Sequence, residues 1–159
     1  MLASDRPRPL RPARLAVVED DREMRRMVAS RLREEGYAVT EFEDGDDFID
    51  HFFHLVGDAP VLETEEGALA GAFEPTDLIV SDVRMPGVGG LEILSGLRSL
   101  DSDLPVILIT AFGSWETHEE ALRLGAAAVL DKPFAVDELA ALVRRALGGA
   151  ADEPAPPAR

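Results

Sequence analysis

Glu19 and Asp20, Asp82, Thr110 and Lys132 share one circumstance: each stands at the end of a short apolar run. Glu19 and Asp20 follow Arg14-Leu-Ala-Val-Val18, Asp82 follows Asp77-Leu-Ile-Val-Ser81, Thr110 follows Leu104-Pro-Val-Ile-Leu-Ile109, and Lys132 comes just after Ala127-Ala-Val-Leu130. If these runs are parallel strands, their carboxyl ends line the edge at which open α/β sheets bind ligands. Three carboxylates within about 4 to 6 Å repel one another by several kcal/mol at an effective dielectric near 20, so such a cluster requires a cation, a proton or a very wet cleft. The chain has no cysteine and no histidine near any of these ends. A hard, oxygen-preferring ion is then the simplest partner, and Mg²⁺ fits better than zinc. A metal cleft with a lysine and a threonine beside it suits phosphoryl transfer. Mg²⁺ and Lys132 would each take a phosphoryl oxygen, Thr110 would donate to a third, and Asp82 would attack phosphorus in line to give an acyl phosphate.

The elements that must position these groups follow from pattern. Short apolar runs alternate with helical periodicity, the signature of a parallel sheet with crossover helices. Asp21 opens a helix with Met24, Met27, Val28 and Leu32 at spacings of three and four, closing at Gly36. Tyr37 to Phe42 reads as a second strand, Asp46 to Phe53 as a helix, and Val136, Leu139, Ala140, Val143 and Leu147 form the stripe of a last helix. The pattern predicts five strands and five helices. Residues 55 to 75 have no firm period and read as an insertion.

The 159 residues include 31 Asp or Glu and 16 Lys or Arg, a formal charge of −15. That sign argues against direct binding to nucleic acid or to an anionic membrane. At 46% hydrophobic residues the chain can bury a core, and its length suits one domain. Without cysteine there is no disulfide or thiol chemistry, which fits a reducing compartment. There is no apolar leader and no run of about 18 apolar residues, so a cytoplasmic protein is expected. Residues 1–12 and 148–159 are too rich in Arg, Pro, Gly and Ala to offset their ordering entropy and read as tails around a domain at 13–147.

Four motifs in order, each at a strand end, then become specific: Val17-Val-Glu-Asp-Asp21, Asp77-Leu-Ile-Val-Ser-Asp-Val-Arg-Met-Pro-Gly-Val-Gly-Gly90, Leu104-Pro-Val-Ile-Leu-Ile-Thr-Ala-Phe-Gly113 and Asp131-Lys-Pro-Phe134. Over about residues 14 to 147 the chain resembles the receiver domain of two-component response regulators, with Thr110-Ala-Phe-Gly-Ser-Trp-Glu116 similar to the nitrogen-regulation type. The resemblance implies a doubly wound, flavodoxin-like sheet in the order 2-1-3-4-5 with five helices. It implies Mg²⁺ held by Glu19, Asp20, Asp82 and the backbone carbonyl of Arg84, and phosphorylation of Asp82 by the phosphohistidine of a sensor kinase or phosphotransfer protein, with Thr110 and Lys132 completing the site. It also implies a cis bond before Pro133. The tail after Leu147 is too short for a folded output module. A stand-alone receiver is therefore expected, signalling through a downstream protein or a homodimer on the face from Ser114 to Leu147, and turning over no external metabolite.

Competing readings stand beside each group. Asp21 is assigned as a helix cap rather than a ligand. His51 and His54 have a spacing that could ligate metal on a helix, but lack a third ligand and read as a helix face; His118 reads as surface. Gly89 and Gly90 set up the turn into the third helix. Members of the family generally carry an aromatic three residues before the lysine, where this chain has Val129; that part of the switch is missing or is supplied by Phe112 or Trp115. A haloacid-dehalogenase-like phosphatase would need an acid two residues after the nucleophile, where Arg84 stands. A non-phosphorylated scaffold is disfavoured by intact Asp82, Thr110 and Lys132.

Overall fold

Runs of Val, Ile and Leu bounded by turn residues form the strands, and they are joined by helices in strict alternation. The structure, a computed structural model, describes residues 11–56, 76–111 and 115–148, the last four of the first range by backbone alone. The order is β1 (Arg14–Val18), α1 (Arg22–Glu34), β2 (Ala38–Phe42), α2 (Gly45–Val56), β3 (Leu78–Asp82), α3 (Gly90–Ser99), β4 (Val106–Thr110), α4 (Trp115–Arg123), β5 (Ala128–Asp131) and α5 (Val136–Ala146). All strands are parallel, in the order β2-β1-β3-β4-β5.

The central strands β3 and β4 are buried along their whole length, as a sheet covered on both faces requires. Alternate residues feed two separate cores. Ala16, Val18, Ile79 and Leu108 face Phe48 of α2, Ile93 and Leu97 of α3 and Ala121 of α4. Leu15, Val17, Val80 and Ile109 face Val28 and Leu32 of α1 and Leu139 and Val143 of α5. The chain leaves β1 for β2 on one side and reaches β3 on the other, so the crevice beyond β1 and β3 is the topological switch point.

Several boundaries differ from expectation for local reasons. The fourth strand begins at Val106 rather than Leu104, because Pro105 has no N–H for the ladder, although its carbonyl accepts from Ile79 at 3.0 Å. Asp77 precedes β3; its carboxylate accepts the Arg14 N–H at 2.7 Å and bridges to the Arg11 guanidinium at 3.1 Å. Arg11, read from sequence as tail, is thus tied to the sheet. Leu55 and Val56 belong to α2, so the insertion cannot begin before 57; its remainder, residues 57–75, lies outside the described residues, as do tail residues 1–10 and 149–159. On α1 the expected stripe is corrected: Met27 is 43% exposed, and the buried positions are Arg25, Val28, Ala29 and Leu32. Asp21 caps this helix, its side chain accepting from the Met24 N–H at 2.9 Å.

Gly90 opens α3 where no side chain fits. A Cβ there would lie 2.6 Å from the Asp82 carbonyl oxygen and 2.8 Å from Leu108 Cδ2. Backbone cannot yield cheaply, so Gly90→Ala is expected to lower stability by about 1–3 kcal/mol, read as a fall in the urea midpoint. An unchanged midpoint would mean that the helix start can slide.

Candidate functional site

The parallel register decides which side chains meet. Val18 pairs with Ser81 and Asp82 pairs with Ile109, so Glu19, Asp82 and Thr110 emerge at one level at the ends of three adjacent strands. Thr110 pairs with Asp131, and the Lys132 N–H donates to the Thr110 carbonyl at 2.8 Å, which brings the lysine to the same edge. The Lys132–Pro133 peptide is cis.

Lys132 Nζ donates to Asp82 Oδ2 at 2.8 Å and stands 3.4 Å from Glu19 Oε2. Asp82 Oδ1 accepts the Arg84 N–H at 3.0 Å, from the loop after β3. Glu19 Oε1 accepts the Asp21 N–H at 3.1 Å. Glu19, Asp82 and Thr110 are buried, whereas Asp20 is exposed at the mouth. The structure therefore brings together Glu19, Asp20, Asp82 and Lys132, with Thr110 on the neighbouring strand end and Arg84 bonded through its backbone.

Electrostatically the pocket is overloaded with negative charge. Burial first, then the charge of Asp82, push the Glu19 carboxyl up from its ordinary 4.5 to about 8, against the lowering influence of the Asp21 N–H and Lys132. For Lys132, burial disfavours the ammonium, but the hydrogen bond and charge of Asp82, followed by Glu19, outweigh it and hold its pKa above the usual lysine value. Among the described residues, Glu19 Oε2 is the buried side-chain oxygen that accepts no hydrogen bond. One oxygen each from Glu19, Asp20 and Asp82 lie within 4.8 Å of one another. A buried oxygen that accepts no hydrogen bond, with two further carboxylates beside it, is a donor set that fits a hard divalent cation.

Comparison with known proteins agrees with this geometry. The response regulator receiver domain family matches residues 15–144. The chain is a receiver domain of the response-regulator family. The receiver is 34% identical over 131 residues to the transcriptional regulatory protein FixJ of Bradyrhizobium diazoefficiens, covering 82% of this chain and 55% of that one. It is 36% identical over 131 residues to the DNA-binding transcriptional regulator NtrC of Escherichia coli, covering 82% of this chain and 24% of that one, in keeping with the nitrogen-regulation-type motif. Among solved structures, the Francisella response regulator 1452 receiver domain superposes with a TM-score of 0.68 at 27% identity, covering 85% of this chain and 96% of that one. The receiver thus spans about half the length of FixJ and a quarter of NtrC. The expected flavodoxin-like topology, 2-1-3-4-5 with five helices, is the observed one. Phosphoryl acceptance is the general function of this family, and Mg²⁺ is its general ion. No helix among the described residues is long and apolar enough to cross a membrane.

Other expectations resolve residue by residue. Val129 is half-buried against the core on the α2, α3 and α4 face, and Trp115 is 75% exposed at the start of α4, while Phe112 lies outside the described residues. The His51 ring tilts against Phe42 at 5.2 Å between centroids; the side chain of His54 lies outside the described residues. His118 is not simply surface: its Nε2 is 2.7 Å from Asp131 Oδ1, tying α4 to the end of β5. That pair, and the burial of Arg25, were missed from sequence. Arg25 carried a signal, since it shares the three-and-four spacing of Val28, Ala29 and Leu32.

Proposed function

We propose that the receiver catalyses its own phosphorylation on Asp82 and its own dephosphorylation, and turns over no external metabolite. The observation that carries this reading is Asp82 Oδ2 held 2.8 Å from the Lys132 ammonium, with Glu19 and Asp20 oxygens within 4.8 Å at the sheet's switch point. Glu19, Asp20, Asp82 and the Arg84 carbonyl would hold Mg²⁺. When bound, the ion supplies positive charge to a phosphoryl oxygen and relieves the repulsion among the acids. Lys132 turns from Asp82 to a second phosphoryl oxygen, and the Thr110 hydroxyl donates to a third. The Asp82 carboxylate attacks phosphorus in line. The phosphorus–nitrogen bond of a sensor kinase's phosphohistidine breaks as the phosphorus–oxygen bond forms, and the imidazole, protonated at its other ring nitrogen, leaves neutral.

Phosphorylation biases two arrangements of α4 and β5, and the change is read by a downstream protein on the face from α4 to α5. Trp115 and Leu122, seven residues apart on α4 and 75% and 61% exposed, support contact there. Incubation with acetyl phosphate and Mg²⁺ is expected to add the mass of one phosphoryl group, and excess chelator to prevent it. A protein that gains no such mass under saturating donor overturns the reading.

A further inference from the structure

Three charged side chains are buried among the described residues: Glu19 and Asp82 in the pocket, and Arg25 outside it. Arginine is almost never buried without partners, and the partners of Arg25, at 8% exposure, lie in the frame of the site. Its Nη1 donates to the backbone carbonyl of Glu19 at 2.9 Å, and its Nε stands 3.6 Å from Glu41 Oε1 on β2. Glu41 is held in turn by Arg33 at 3.1 Å. The Glu19 carbonyl belongs to the peptide that joins Glu19 to Asp20, so a bond that fixes it also fixes the directions in which both carboxylates leave the chain. On its other side Glu19 is anchored by its own N–H, which donates to the Phe42 carbonyl at 3.1 Å.

We propose that Arg25 is a positioning residue for the acid pair, holding the Glu19–Asp20 peptide in the orientation a divalent cation needs. This rests on the reading that Glu19, Asp20 and Asp82 hold that cation. Mg²⁺ demands near-ideal octahedral geometry, so rotation of this one peptide removes a ligand outright. Charge alone works the other way, since a nearby guanidinium repels a cation. Because Arg25 is paired with Glu41, removing both charges together leaves the local balance unchanged and isolates the geometric role.

The test is Mg²⁺ affinity of the unphosphorylated full chain, measured by titration calorimetry, with unfolding midpoints taken in chelator. Arg25→Met combined with Glu41→Gln is expected to raise the Mg²⁺ Kd about tenfold or more, as loss of an outer support typically does. Arg25→Lys, which keeps the charge and one donor, is expected to raise it less. A folded double variant with a Kd within about twofold of wild type overturns the proposal, whatever its unfolding midpoint, because a purely structural role moves the midpoint alone. Should circular dichroism show the double variant unfolded, Arg25→Lys decides by the same measurement: a raised Kd supports the role and an unchanged one overturns it. Wild type that binds no Mg²⁺ defeats the metal reading itself, a failure visible before any variant is made.

Discussion

Asp82→Asn is expected to abolish the phosphoryl adduct completely while leaving the receiver folded. The amide removes the nucleophilic carboxylate but keeps its size, and its oxygen can still accept from Lys132 or from the Arg84 N–H, both of which bond Asp82 now. The other two carboxylates gathered in the pocket, Glu19 and Asp20, are the ones assigned to the cation. Intact-mass measurement after acetyl phosphate and Mg²⁺ reads the result. An Asn variant labelled as fully as wild type would place the acceptor elsewhere. The same substitution deletes the charge that, after burial, does most to raise the Glu19 carboxyl. In chelator above about pH 8, where Glu19 is ionised beside Asp82, Asp82→Asn is therefore expected to be more stable than wild type, because relief of repulsion between buried acids exceeds the loss of one ion pair to a partly exposed lysine.

Without metal, stability is expected to fall as pH rises from about 4.5 to about 8, the interval over which Glu19 is protonated in the fold and ionised in the unfolded chain. The folded protein binds more protons than the unfolded one across that window, so the free energy of unfolding declines with pH and the loss is complete above the folded value. After discounting for water at the mouth of the cleft, the contribution is on the order of 3 kcal/mol. Urea unfolding from pH 5 to 9 in chelator measures it. Glu19→Gln should flatten the decline, raising stability at pH 8 at the expense of Mg²⁺ affinity, and saturating Mg²⁺ should flatten it in wild type by favouring the ionised form. A flat profile in wild type with chelator would mean that Glu19 ionises freely in the fold.

Much of this site was legible in the residues alone. A valine strand that runs directly into Glu19-Asp20, and an isoleucine-valine strand that ends at Asp82, leave the acids only one edge of a parallel sheet to occupy. The α1 stripe differs from expectation at Met27, which has helical spacing from Met24 but lies outside the arc that Arg25, Val28, Ala29 and Leu32 share.

Periodicity and strand ends, both local properties of the chain, were enough to define the elements, their alternation and the residue types brought to the switch point. Packing alone decided the partnerships: Lys132 with Asp82 across 50 residues, Arg25 with the Glu19 carbonyl and near Glu41, and His118 with Asp131. A backbone pattern says which way a side chain faces. Whether two such side chains come within 3 Å depends on crossing angles and register between elements, and these are set only when both cores close around the sheet.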